Sequence, residues 1–285
     1  MKIFLIGKNG QLGQAIHTQS PDAGHEIHAF GQEELNIADG DAFSALFKKI
    51  NPDVVINASA FHVVPQCEED PEKAFLINAI ALKKIAEMCS ESNVQLMTYS
   101  TDYVFDGTKG TPYLEDDKPN PLQVYGVSKV AGELLAVRYS PTSVVIRTCG
   151  VYGGKEGSRS KKGNFILNIL NQATSKEEIE VSSEQIVSPT YAEDLAKATL
   201  ELLNHKDVCG IYHLANEGYC SWAEFATEAI KIKGLPVKII PVDRGGMAGS
   251  LKRPLFSALE NTRAARLGIK LPSWQDALKR YINTL

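Results

Sequence analysis

Lys2-Ile3-Phe4-Leu5-Ile6-Gly7-Lys8-Asn9-Gly10-Gln11-Leu12-Gly13 opens the chain, and its texture changes twice. The apolar run reads as a buried strand. Gly7, Gly10 and Gly13 make a G-x-x-G-x-x-G turn, and helix-like Gln14-Ala15-Ile16-His17 follows. Glycines there permit a tight turn and let backbone N–H groups approach a pyrophosphate at the helix N-terminus. A glycine motif alone is a weak signal; the strand–turn–helix context strengthens it.

The alternation continues outward. Glu26-Ile27-His28-Ala29-Phe30 reads as a second strand. Dinucleotide folds often end this strand on an acid for the adenine ribose, or hold an arginine nearby for a ribose phosphate. Phe30-Gly31-Gln32 supplies neither, and Glu33 and Glu34 come slightly late, so NADH and NADPH both stay open. Leu35-Asn36-Ile37-Ala38-Asp39 suggests a loop beside the adenine; Asp39 either touches the cofactor or caps the helix expected over 42–50. Asp53-Val54-Val55-Ile56-Asn57 is a third strand, and Ala58-Ser59-Ala60 after it lets a flat cofactor lie close. Pro71 opens a long helix over 71–89, in which Asn78 either contacts the cofactor or satisfies a nearby backbone group. Val94-Gln95-Leu96-Met97-Thr98-Tyr99 and Ser143-Val144-Val145-Ile146-Arg147 are the fourth and fifth strands. This βα alternation implies an α/β fold, a Rossmann-type doubly wound parallel sheet with helices on both faces.

Open α/β sheets bind ligands at the C-terminal ends of their strands. Ser100 and Thr101 fall there, where a hydroxyl either bonds a substrate carbonyl or caps a turn. Downstream, Val124-Tyr125-Gly126-Val127-Ser128-Lys129 places Tyr125 and Lys129 four apart, on one face of a helix. An ammonium beside a phenol favours the phenolate, so the Tyr125 pKa is expected to be lowered and the phenol poised as a proton donor. Tyr-x-x-x-Lys is a common accident on surface helices. Its conjunction with the glycine turn and Tyr99-Ser100-Thr101-Asp102 points to nicotinamide-dependent ketone reduction.

Beyond residue 150 further helices are expected from Asn164, over 191–203, over 222–230 with Ser221 as N-cap, and over 273–285, with strands at 210–214 and 239–242. No clean linker separates them from the rest. Residues 1–150 are read as the NAD(P)-binding domain and 151–285 mostly as a smaller, interleaved substrate lobe. The net charge of −4 over 285 residues argues against nucleic acid, and the short run Arg159-Ser160-Lys161-Lys162 reads as a solvated loop rather than a phosphate site. Five cysteines, an odd number with no Cys-x-x-Cys, suit neither a disulfide framework nor a zinc site. No signal peptide and no membrane span are expected, so the cytoplasm is.

Nearly the whole chain resembles the dTDP-4-dehydrorhamnose reductase family of extended short-chain dehydrogenases/reductases. The resemblance rests on the glycine turn, Tyr99-Ser100-Thr101-Asp102-Tyr103-Val104-Phe105, Pro121-Leu122-Gln123-Val124-Tyr125-Gly126 with Lys129 and Gly132-Glu133, Arg147-Thr148, Asn164-Phe165, Gln185 with Pro189-Thr190, and Arg253-Pro254 with Ser257 and Leu259. It implies reduction of the C4 ketone of dTDP-4-dehydrorhamnose to dTDP-L-rhamnose with NADPH or NADH. It implies Thr101, Tyr125 and Lys129 as the catalytic trio, and a cofactor site of Gly7, Gly10, Gln11, Leu12 and Gly13, joined by Asp39, Ala58, Ser59, Ala60, Asn78, Tyr125 and Lys129. Ser100, Thr101, Asp102, Asn164, Gln185 and Arg253 would meet the nucleotide-sugar, a dTDP-linked 4-keto-6-deoxyhexose. No metal is expected, and the chain would act as a monomer or homodimer. Three positions depart from the family pattern: Cys149-Gly150 stand where Ser-Trp is common, Val63-Val64-Pro65-Gln66 replaces an Ala-Val-Asp-like run, and Ala15 replaces a helix glutamate. Another nucleotide-sugar reductase or epimerase, or a non-catalytic NADP-binding regulatory subunit, are the rival readings.

Overall fold

A strand that is apolar on both faces must be covered on both faces. In the computed structural model of the chain, which describes residues 1–158, 163–248 and 251–285, strand β1 (Lys2–Ile6) lies inside a six-stranded sheet. With β2 (Glu26–Phe30), β3 (Val54–Asn57), β4 (Gln95–Thr101) and β5 (Val144–Thr148), the order is β2-β1-β3-β4-β5, closed by the edge strand Gly210–His213. All the pairings are parallel. The strand order reverses between β1 and β3, the switch point where such sheets open a crevice.

Alternate residues of each strand feed two cores. Ile3, Leu5, Ile56, Met97 and Ile146 meet Ala15 and Ile16 of the helix Gln11–Gln19 and Leu195 of the helix Ala192–Leu203. Phe4, Ile6, Val55, Leu96 and Val145 meet Phe43 and Phe47 of Gly40–Ile50, Leu82 and Ile85 of Ala81–Glu91, and Ala136 of Val124–Tyr139. Both the edge strand and one covering helix come from beyond residue 150, so the later chain completes the sheet.

The helix expected over 71–89 is present but not uniform. It runs Pro71–Phe75, widens to a π turn over Leu76–Ile80, and resumes as Ala81–Glu91. The widened turn sets the Asn78 carbonyl hard against the neighbouring helix, where a Cβ on Gly132 would stand 2.2 Å from it. Single π turns recur where a side chain has a function to meet. A further pairing escaped the sequence reading: Glu178–Ser182 runs parallel to Lys238–Val242. Ser221 and Glu224 form a full capping box at the start of Trp222–Lys233. The basic run at Arg159-Ser160-Lys161-Lys162 lies outside the described residues. Among the described residues no helix is long and apolar enough to cross a membrane.

Two buried polar clusters lock the helix Val124–Tyr139 and the edge strand. Arg147 of β5 holds Glu133 through Nε and Nη2 (2.9 and 2.7 Å). Beside it Glu115 accepts from Thr262 Oγ1, Arg263 N (2.9 Å) and His213 N (3.4 Å). His213 is fully buried, and its Nδ1 donates to Glu260 O. Burial pushes its pKa down to about 4, against attraction from Glu115. A folded pKa below the unfolded 6.5 means the contribution to stability is complete above pH 6.5 and lost as pH falls toward 4. Thermal unfolding across that range should therefore show a Tm that drops with acidification. In His213→Asn, whose amide replaces the Nδ1 donor without a proton to gain, the slope should be shallower; equal slopes would remove His213 as the cause.

Candidate active site

The glycine turn is built by contact. Gly7 (φ 90°) lies against the chain after β3, where a Cβ would stand 2.8 Å from the Ala58 carbonyl carbon. A Cβ on Gly13 would stand 2.1 Å from Gly7 O, so only glycine lets the first helix seat on the turn. The turn is tied to β2 by Gly7 N and Lys8 N, both donating to Phe30 O (2.9 and 3.1 Å). No side chain caps the helix that begins at Gln11, and its first turn carries no acid. Uncapped N–H groups at a helix N-terminus are an anion site. The residues at this cradle thus fit a dinucleotide pyrophosphate. Ala58, Ser59 and Ala60 line the crevice half-exposed; Asn57 Oδ1 holds Ser59 through its N (3.1 Å) and Oγ (2.6 Å).

For two expected cofactor contacts the structure realises the structural alternative. Asp39 Oδ1 accepts from Ala42 N (3.0 Å) and caps Gly40–Ile50. Asn78 accepts from Phe61 N (2.9 Å) and donates to Phe61 O (2.8 Å) and Ser128 Oγ (3.0 Å), which takes up its amide. Gln11 reaches away from the turn: Oε1 accepts from Gly153 N (3.0 Å) and Asn164 Nδ2 (3.1 Å).

Thr101, the last residue of β4, and Tyr125, in the first turn of Val124–Tyr139, come together at the sheet's C-terminal end. Glu68 Oε1 accepts from Val124 N (2.7 Å) and so supplies this helix with its N-terminal acceptor. Glu68 belongs to the short helix Val64–Glu69, started by Pro65 of the run Val63-Val64-Pro65-Gln66. Thr101 Oγ1 donates to Asp102 Oδ1 (3.0 Å) and accepts from Tyr103 N (3.2 Å). Lys129 is buried and Nζ donates to Tyr99 O (2.6 Å).

The expected lowering of the Tyr125 pKa is not found. Burial pushes the phenol well above the ordinary tyrosine range, outweighing a hydrogen bond with Thr101, while Asp102, Cys67 and Tyr103 push it further up. The lysine ammonium is directed at the Tyr99 carbonyl rather than at the phenol, and burial brings its own pKa down to about 8, against Glu133. Desolvation is the largest cause for each group, and neither figures among the causes of the other's shift. Tyr125 is thus a protonated phenol near neutral pH, the form a proton donor needs.

On the substrate side, Ser100 Oγ is buried without a partner. Asp102 is a buried carboxylate; Oδ2 accepts from Ser257 Oγ (2.6 Å), and burial pushes its pKa up. Arg253 lies close enough to Tyr103 to act on its phenol, and its buried Nε has no partner, so it can still receive an acceptor. Gln123 Nε2 donates to Lys252 O (2.6 Å), joining the Arg253 segment to the start of the catalytic helix. Gln185 is buried one residue before Ile186, which pairs with Phe256 on that segment. Asn164 does not join this group as expected of a substrate contact. Its Oδ1 caps Phe165–Gln172, and its Nδ2 donates to Gln11 and to Tyr281 OH (2.8 Å), because the chain here binds the lobe to the glycine turn. At the family's Ser-Trp position, Cys149 hydrogen-bonds with Asp102, and a Cβ on Gly150 would stand 3.1 Å from Trp222 Cη2. Neither Ser257 as the partner of Asp102 nor Glu68 as a distant cap carried a local sequence signal.

The chain is similar to known proteins over its full length. The pattern of the RmlD substrate binding domain family matches residues 1–285. The spore coat polysaccharide biosynthesis protein SpsK of Bacillus subtilis (strain 168) is 39% identical over 281 residues, 99% of this chain and 96% of that protein. The dTDP-4-dehydrorhamnose reductase of Escherichia coli (strain K12) is 34% identical over 300 residues, 100% of this chain and 98% of that one. The crystal structure of dTDP-4-dehydrorhamnose reductase from Bacillus anthracis in complex with NADP superposes with a TM-score of 0.91 at 31% identity, covering 99% of each chain. Replacing Asp39 with Ala separates its two roles. As a cap it should cost about 1 kcal/mol of stability in chemical denaturation and leave nicotinamide-coenzyme affinity unchanged; a lowered affinity would return it to the coenzyme site.

Proposed function

The chain belongs to the dTDP-4-dehydrorhamnose reductase family, and from that premise we propose that it reduces the C4 ketone of dTDP-4-dehydrorhamnose to dTDP-L-rhamnose with NADPH or NADH. The observation that carries the reading is the hydrogen bond between Tyr125 and Thr101 at the C-terminal end of the sheet, with Lys129 one turn on in the same helix and an uncapped helix N-terminus after β1. Residues 1–150 mainly hold the coenzyme and 151–285 mainly the nucleotide-sugar, with Ser100, Asp102, Gln185 and Arg253 as the groups nearest it.

When bound, the reduced nicotinamide supplies the hydride that goes to the carbonyl carbon. The protein's part is to hold the ketone oxygen and to protonate it. Thr101 and Tyr125 bond that oxygen, and the Tyr125 O–H breaks as its proton passes to the developing alkoxide, giving the alcohol and a phenolate that solvent reprotonates. Lys129 stabilises the phenolate left behind. To bond the ketone oxygen, the Thr101 hydroxyl turns its one proton away from Asp102 Oδ1, to which it donates in the free protein. The chain is read as a monomer or a homodimer. Five cysteines with no disulfide among the described residues suit a reducing cytoplasm.

Nicotinamide oxidation, followed with dTDP-4-dehydrorhamnose generated in situ, tests the reading. Tyr125→Phe should lower turnover about 10²–10⁴-fold and leave coenzyme binding nearly intact. Turnover close to wild type would remove Tyr125 as the donor, and coenzyme binding without turnover in the wild type would favour a regulatory subunit. The pH profile gives a second check: with Lys129 at about 8 and Tyr125 titrating far higher, kcat/KM should fall above about pH 8 as the ammonium is lost. A flat profile to pH 10 would exclude a role for the Lys129 charge.

A further inference from the structure

Two side chains that the reaction does not use stand at the mouth of the coenzyme crevice. After β2 the chain folds back, with Glu34 N and Leu35 N both donating to Gly31 O (3.1 and 2.9 Å). The fold-back returns the Glu34 carboxylate to the strand end, although in sequence it lies four residues beyond Phe30. Its Oε2 accepts from Gly31 N (2.7 Å) and its Oε1 from Lys8 Nζ (2.6 Å). Lys8 itself belongs to the glycine turn, and its backbone N is fastened to Phe30 O. The pair therefore straddles the seam between the pyrophosphate cradle and the end of β2. Both side chains remain open to a ligand, at 29% exposure for Lys8 and 49% for Glu34.

A dinucleotide whose pyrophosphate rests on the glycine turn directs its adenine ribose toward the end of the second strand. NADH and NADPH differ there by one group, a 2′-hydroxyl or a 2′-phosphate. A carboxylate accepts from the hydroxyl and repels the phosphate, whereas an ammonium pairs with the phosphate. We propose that the Lys8–Glu34 pair is the coenzyme selector of this chain: Lys8 receives the 2′-phosphate of NADPH, while Glu34 opposes that phosphate and accepts the 2′-hydroxyl of NADH. Because Glu34 holds the ammonium in place and also cancels its charge, it limits the advantage of NADPH. The proposal rests on the coenzyme reading given above.

Fluorescence titration of NADPH and NADH on the wild type, Glu34→Gln and Lys8→Met tests it. Glu34→Gln should tighten NADPH relative to NADH by about tenfold. Lys8→Met should weaken NADPH by about tenfold more than it weakens NADH. Competition by 2′,5′-ADP against 5′-ADP, which lack the nicotinamide, should shift in the same directions and localise the effect to the ribose. A wild type that binds both coenzymes, with affinity ratios that neither variant moves, overturns the selector alone. A wild type that binds neither overturns the coenzyme reading and the selector with it.

Discussion

Lys129 is a charged side chain taken out of water, and the centre of the molecule is arranged to hold it there. Burying an ammonium is costly unless hydrogen bonds replace its hydration. One comes from Tyr99 O at 2.6 Å. Glu133, one helical turn on, attracts the ammonium but is itself held by the Arg147 fork, so no lone carboxylate is buried beside it. Tyr99 lies on β4, two residues before Thr101. The bond that anchors Lys129 therefore also fixes the catalytic helix against the strand that ends in Thr101, which brings Tyr125 and Thr101 to one place. Glu68 at the helix start and Ser128, between Asn78 and the Tyr125 carbonyl, hold the same helix from its other sides.

The N-terminal and C-terminal halves of the chain are joined at the glycine turn rather than by a flexible linker. Gln11 extends from the first helix turn to Gly153 and Asn164, and Asn164 continues to Tyr281 in the last helix. The Tyr281 hydroxyl in turn donates to Gly154 O. This chain of bonds runs from the pyrophosphate cradle to residue 281, so the lobe's position and the cradle's geometry are set together. It also explains why Asn164 and Gln11, both singled out by resemblance, have side chains engaged in support rather than free for a ligand.

Much of the fold was legible in local pattern. The doubly apolar run at β1, the glycine spacing and the strand–helix alternation constrain the backbone wherever they occur, and the sheet followed from them. The Tyr125–Lys129 spacing was legible for the same reason, since a four-residue step fixes a shared helix face. What resisted was whatever depends on a neighbour distant in sequence. Asn78 had two possible partners, and only the packed chain brought the Phe61 backbone to it; Asp39 is the exception, its cap to Ala42 N being a local bond. The parallel partner of Lys238–Val242 lies some sixty residues earlier, at Glu178–Ser182; its alternation of exposed and buried residues is a local strand pattern, but its pairing with so distant a run is not.

The sequence alone determined the kind of fold and singled out the glycine turn and the side chains of Thr101, Tyr125 and Lys129, because backbone sterics, periodicity and functional-group chemistry are local properties. The tertiary structure decided how those groups behave. It left Tyr125 a protonated phenol where its neighbour's charge alone argued for easier ionisation, since desolvation depends on everything packed around a group and not on the residue four places away. It also carried Glu34 back to the end of β2, which residue spacing placed out of reach, through a fold-back held by Gly31 and Lys8.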